Sequence, residues 1–171
     1  MKKIGIQGAK GSFSEEAAVK FASNHGIGDY EIDYLISSDS VLSSIENSKT
    51  DFGIFAMENA QGGVVIESVE ALALHKAKII EMFHIPIEQN LLCLSGTKIG
   101  DITQIHSHRQ ALRQCKNYLS ENFWTRPLIE EDDTAESARR LSQKKLPKTA
   151  AVIANRTCAE IYGLEILEKS I

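Results

Sequence analysis

A carboxylate and an amide, Glu58-Asn59, close an apolar run that begins at Phe52, and Ala60, Gln61 and the pair Gly62-Gly63 follow them. An acid that can hold or move a proton, beside an amide that both donates and accepts, is suited to binding a small polar ligand or to proton transfer. The glycines admit a close approach of backbone to ligand, or a positive φ. Three other groups have a similar character: Ser12 and Ser14 after the turn Gly8-Ala-Lys-Gly11, the run His106-Ser-His-Arg109, and Asp133-Thr134. Ser12 lies outside a Gly-x-Ser-x-Gly elbow and has no legible His–Asp partners, so capping or ligand contact suits it better than nucleophilic attack. His106 and His108, two residues apart and without a third ligand, do not make a helical metal pair. The acidic stretch from Glu130 to Asp133 suits capping and solvation better than a cation site. No glycine turn matches a dinucleotide or P-loop pattern. At each of these places, ordinary helix capping competes with ligand binding.

The hydrophobic periodicities put every one of these groups at a strand-to-helix junction. Strands are expected at 3–7, 30–36, 52–57, 78–84, 87–94, 102–106, 126–130 and 148–153. Ser12 with Glu15 reads as a capping box opening a helix to about residue 24. Further helices are expected after a cap at Ser38 or Asp39, over 64–76, over 110–119, from the cap Asp133 (Glu136 three residues on) to about 145, and from Asn155 to the stop at Tyr162-Gly163. Alternation of this kind implies one largely parallel sheet, or two. Helix N-termini carry unpaired N–H groups and a positive dipole end, so several that converge would hold an anion.

Composition narrows the classes further. The chain has 171 residues, is 43% hydrophobic and 25% charged, and carries a net charge of −4. That suits a globular protein with a sizeable core and argues against a nucleic-acid partner, since no basic stripe appears. Met1-Lys2-Lys3 runs directly into a strand pattern, without an apolar signal region, and no window approaches a membrane span. The odd, scattered Cys93, Cys115 and Cys158 suit a reducing compartment and neither a disulfide framework nor a zinc site. A cytoplasmic location with no membrane partner and no metal is the expectation.

At these junctions the chain resembles the catalytic domain of prephenate dehydratases, nearly end to end. Gly8-Ala-Lys-Gly-Ser-Phe-Ser14 is similar to that family's first motif, and Glu58-Asn59-Ala-Gln-Gly-Gly63 to its Glu-Asn-Ser-x-x-Gly motif. Ile105-His-Ser-His-Arg-Gln-Ala-Leu-Arg-Gln-Cys115 is similar to its Ser-His-Pro-Gln-Ala-Leu-x-Gln-Cys stretch, and Asp133-Thr-Ala-Glu-Ser-Ala138 to its Ser-Thr-Ala-x-Ala-Ala. The segment from Ala150 through Leu167 resembles the one that closes the domain.

The resemblance implies an α/β fold of two Rossmann-like lobes with a central cleft, similar to type-II periplasmic binding proteins. The first lobe would hold 1–82 with 156–171, and the second 83–155. It implies a substrate site of Ser12, Phe13, Ser14, Glu58, Asn59, Ser107, His108, Thr134 and Ala135, with Ser12, Asn59, Ser107 and Thr134 lining one cleft. The implied reaction is loss of carbon dioxide and hydroxide from prephenate to give phenylpyruvate, in phenylalanine synthesis, with no cofactor and in a homodimer or larger homo-oligomer. Arogenate as substrate, decarboxylation alone, or a non-catalytic acid-binding module on the same fold are the alternatives. Ala60 stands where the family has a hydroxyl residue, and Gly62 and Gln89 where Glu and His are more usual. The family's Thr-Arg-Phe motif, which supplies its catalytic threonine, is expected after Ile171; Thr125-Arg126-Pro127 is no substitute for it. The phenylalanine-binding ACT domain that commonly follows in the family is likewise outside this sequence.

Overall fold

The computed structural model describes residues 1–60 and 63–171, and Gln61 and Gly62 of the glycine turn lie outside them. The chain forms two compact units, Met1–Pro86 and Ile87–Ile171.

In the first unit, β1 (Lys2–Ile6), β2 (Tyr30–Tyr34) and β3 (Phe52–Ile54) make a parallel sheet in the order β2-β1-β3. Helix α1 (Phe13–Asn24) follows β1, and α2 (Ser38–Glu46) follows β2. Ile4 and Ile6 of β1 pack with Ala18 and Ala22 of α1, and Ile32, Phe52 and Ile54 close around them. This is the burial a short parallel sheet requires. The α2 cap is Ser37, whose Oγ accepts the Ser40 N–H, one residue before the position expected from sequence. A two-stranded hairpin, β4 (Glu58–Asn59) with β5 (Gly63–Val64), then leads into α3 (Ile66–Leu74).

Two expectations in this unit are corrected. The helix expected over 64–76 begins only at Ile66, because Gly63 (φ 71°) and Val64 pair back with Asn59 and Glu58. No strand forms over 78–84: its alternation is strand-like, but Ile79, Ile80 and Met82 are exposed, and among the described residues no strand pairs with it. Pattern gives an extended segment, whereas a strand also needs a free edge in register.

The second unit is built on a five-stranded sheet in the order β10-β6-β9-β7-β8. Its strands are β6 (Asn90–Cys93), β7 (Gln104–His108), β8 (Leu128–Glu131), β9 (Ala150–Ala154) and β10 (Glu165–Glu168). β7 runs parallel to β8 and β9, while β6 is antiparallel to both β9 and β10. Leu91, Cys93, Ile105, Ala151 and Ile153 pack on one face against α4 (Arg109–Gln114) and α5 (Lys116–Asn122). On the other face α6 (Thr134–Ser142) lies on β9 and β7, with α7 (Arg156–Tyr162) beside it. With both faces covered, all five residues of β9 are buried.

Here too the structure departs from expectation. The helix expected over 110–119 is two helices that meet at Cys115. Residues 156–171, expected with the first lobe, belong to the second unit: after Gly163 stops α7 with a left-handed φ of 64°, β10 pairs with β6, Glu165 opposite Cys93. Ile4 and Ile54 share one sheet and Ile105 sits in another.

Candidate functional site

Each unit gathers its predicted residues at the edge of its sheet from which the helices leave, the edge where open α/β sheets bind ligands.

In the first unit, β1 and β3 end side by side. Gln7 ties the two ends together, its N–H donating to the Ile54 carbonyl (3.0 Å) and its Oε1 accepting the Ala56 N–H (3.1 Å). The glycine turn with Ser12–Ser14 follows β1 in the chain, and Glu58–Asn59 follows β3 as the first strand of the hairpin. Gly8 (φ 138°) and Gly11 (φ 89°) take conformations that an L side chain resists. The buried Ser12 is the N-cap of α1, its Oγ accepting the Glu15 N–H at 3.4 Å. Glu15 departs from the reciprocal capping box. One carboxylate oxygen accepts the Gly11 N–H and the other the Tyr34 hydroxyl (2.8 Å), pinning the turn to the end of β2. Phe13, Ser14 and Asn59 are half-buried and Glu58 is exposed.

In the second unit the register brings four chain segments together. His106 is opposite Val152, His108 opposite Glu131 and Asn90 opposite Ala154. The carboxyl ends of β7, β8 and β9 therefore share an edge with the amino end of antiparallel β6. Ser107, His108, Thr134 and Ala135 all belong to this edge. Their polar atoms are not equally available, however. Ser107 is buried and its Oγ–H donates to the Ile153 carbonyl at 2.7 Å, while His108 Nδ1 accepts the Gln110 N–H at 3.3 Å. Thr134 is the first residue of α6 and half-buried, and Ala135 behind it is fully buried, so only a small side chain fits there. Asp133 caps α6, its Oδ1 accepting the Glu136 N–H (2.9 Å), and Asn155 caps α7, its Oδ1 accepting the Cys158 N–H (2.8 Å).

Gln89 and Asn90 at this edge are absent from the sequence-derived site. Gln89 is buried, donates from Nε2 to Gln114 Oε1 (2.9 Å), and its Oε1 has no partner among the described residues. Asn90 Oδ1 accepts the Ser170 N–H (3.3 Å), and the Gln89 carbonyl accepts the Ile171 N–H (3.0 Å), so residues 170 and 171 return to the same edge. The usable signal was the pairing of β6 with β9, which sets Gln89 next to the capping Asn155. A pairing across more than 60 residues leaves no local trace.

The charges nearby are organised by pairs. Arg139 grips Glu136 with two 2.6 Å bonds, and the guanidinium holds that carboxyl below its ordinary value. Burial pushes the Tyr162 hydroxyl up to about 12. Among the described residues, no cluster of three or more His, Cys, Asp or Glu is arranged to hold a metal, and no helix is long and apolar enough to cross a membrane.

Two α/β units, each with turn, cap and amide groups collected at the helix-bearing edge of its sheet, define a protein built to present small polar contacts at strand ends. The chain belongs to the prephenate dehydratase family, whose sequence model matches residues 4–171. It is 36% identical to prephenate dehydratase of Lactococcus lactis over 99% of its own length and 58% of that protein. It is 31% identical to arogenate dehydratase 2 of Petunia hybrida, over 99% of its length and 41% of that protein. The chain thus spans about half the length of the curated relatives it matches. In structure it is similar to prephenate dehydratase from Arthrobacter aurescens, solved in complex with L-Phe. The TM-score is 0.86 at 24% identity, over 99% of this chain and 55% of that one, a likeness that shows the fold.

Proposed function

We propose that residues 1–171 form the substrate-binding module of a lyase that converts prephenate, or the closely similar arogenate, to the aromatic product. The observation that carries this reading is that the prephenate dehydratase family model matches residues 4–171. In the reaction the ring carboxylate leaves as carbon dioxide, and its bonding pair becomes the third ring double bond. The carbon–oxygen bond at the opposite ring carbon breaks, and the oxygen departs as hydroxide, which a proton donor converts to water. Aromatisation supplies the driving force. The protein's tasks are to bind two carboxylates and to help hydroxide leave.

Helix starts at Phe13 and Thr134 suit the first task, with the Asn59 amide and the Thr134 hydroxyl as the neutral donors. The second task needs a positioned proton donor. A missing positioned general acid costs about a hundredfold to ten-thousandfold. Ala60 offers no hydroxyl, which leaves the electrostatic work to Asn59 and the helix starts.

The reading is tested by following phenylpyruvate from prephenate, and phenylalanine from arogenate, with the protein at its full encoded length and no added metal or nucleotide. Formation of either product supports it. A decarboxylated product that keeps its hydroxyl would instead favour a decarboxylase, and no turnover or binding of either acid would reject the family's function for this chain.

A further inference from the structure

On the α6 side of the second sheet lies a polar chain that the proposed reaction does not use. His106 is 4% exposed, and the side chain of Glu131 12%. The Gln104 amide donates to His106 Nε2 at 2.7 Å. That leaves the imidazole proton on Nδ1, which donates to Glu131 Oε1 at 2.8 Å. The second oxygen of Glu131 accepts from the Arg140 guanidinium. One carboxylate thus joins three elements: β7 through His106, β8 to which it belongs, and α6 through Arg140. It also stands only three residues before Thr134, at the mouth of the loop that turns β8 into α6. A buried carboxylate bonded at both oxygens is costly to leave half-satisfied.

We infer that Glu131 is a positioning residue for the α6 half of the ligand edge: by tying Arg140, in the last turn of α6, to His106 it holds the helix, and with it Thr134 at its first residue, against β7 and β8. The inference that this edge takes prephenate rests on the proposed function. The positioning itself does not.

Glu131→Gln keeps the side chain's shape but turns one acceptor into a donor, which meets either His106 Nδ1–H or Arg140. Arg140→Met removes only the helix end of the tie, and Lys145→Met removes an exposed charge on the same segment as a control. In the unliganded protein, native-state hydrogen exchange at the Glu136 and Ser137 amides should quicken about tenfold in the first two variants and not in the third. Exchange at Val152 and Ile153 in β9 should stay slow in all three. Unchanged exchange at Glu136 and Ser137, or equal quickening in β9, would overturn the inference; if Glu131→Gln fails to fold, Arg140→Met decides. Titration with prephenate forms the second arm. Wild-type binding with about tenfold weaker binding in both tie variants supports the inference, and equal binding by all overturns it. If the wild type does not bind, the proposed substrate fails and the exchange rates alone decide the positioning.

Discussion

Ser107 and His108 serve the protein's own backbone before any ligand, which divides the candidate residues of the second unit into supports and contacts. The Ser107 hydroxyl is committed to the Ile153 carbonyl in a fully buried setting. Ser107→Ala should therefore lower unfolding free energy by about 1 kcal/mol, the net worth of such a bond, while changing prephenate affinity little. Thr134→Val should do the reverse, weakening binding about tenfold at near-constant stability. Urea unfolding and calorimetry on both variants check this, and a shared pattern would merge their roles. Residue types were legible in the sequence because a polar group after an apolar run is conspicuous; which atoms remain available depends on neighbours such as Ile153, 46 residues away. The cysteines are Cys93, Cys115 and Cys158. All three are buried, and burial pushes Cys115 up to about 11 and raises Cys93. With so little thiolate near neutral pH, a disulfide reagent should label native protein slowly and unfolded protein at once. Rapid labelling of the folded protein would contradict the burial.

Among the elements, those defined by local chemistry were read well. Ser12, Asp133 and Asn155 cap their helices, and Gly163 ends the last one, because a cap needs only a side chain and an N–H three residues on. Asn155→Ala should cost about 1 kcal/mol for the same reason. The pairing of Glu58–Asn59 with Gly63–Val64, and the 78–84 segment that pairs with no strand among the described residues, were misread, since both depend on whether a partner strand lies in register. Packing of β3 on α2 is similarly non-local: a Cβ on Gly53 would sit 2.6 Å from both Val41 Cγ1 and Ile45 Cδ1, so Gly53→Ala should destabilise by about 1–3 kcal/mol in thermal unfolding.

The helices α2 and α3 are joined by a clamp sensitive to pH. His75 Nδ1 contacts Glu46 Oε2 at 2.7 Å and Nε2 contacts Asp39 Oδ1 at 3.0 Å, and the Lys76 N–H donates to Glu46. Glu46 first, then Asp39, raise the imidazole above its ordinary 6.5. His75 first, then the Lys76 N–H, hold Glu46 below its ordinary 4.5. The histidine's contribution is fully present below 6.5 and is lost as pH rises through the raised value. That of Glu46 is present above 4.5 and is lost as pH falls through its lowered value. His75→Gln should therefore destabilise most at about pH 6, with a smaller deficit at about pH 9. Equal deficits at both pH values in denaturant titrations would remove the charge from the account.

At the scale of the molecule, strand–helix alternation left one sheet or two open, and the chain forms two compact units that meet at Pro86–Ile87. The destination of residues 156–171 was not legible. Glu165–Glu168 is a short strand with charged ends, and its partner β6 lies some 70 residues earlier. The same antiparallel β6 begins at Asn90, directly after Gln89, so the placing of residues 156–171 and the omission of Gln89 and Asn90 from the candidate residues rest on one non-local pairing. The central claim is that the residues collected at these two edges bind prephenate or arogenate. Calorimetric titration of each acid into residues 1–171, for the wild type, Asn59→Ala and Thr134→Val, tests it most directly. The account predicts saturable binding of at least one acid, weakened about tenfold or more by each substitution, as loss of a hydrogen bond to a charged group requires. No saturable heat with either acid, or undiminished binding in both variants, would contradict it.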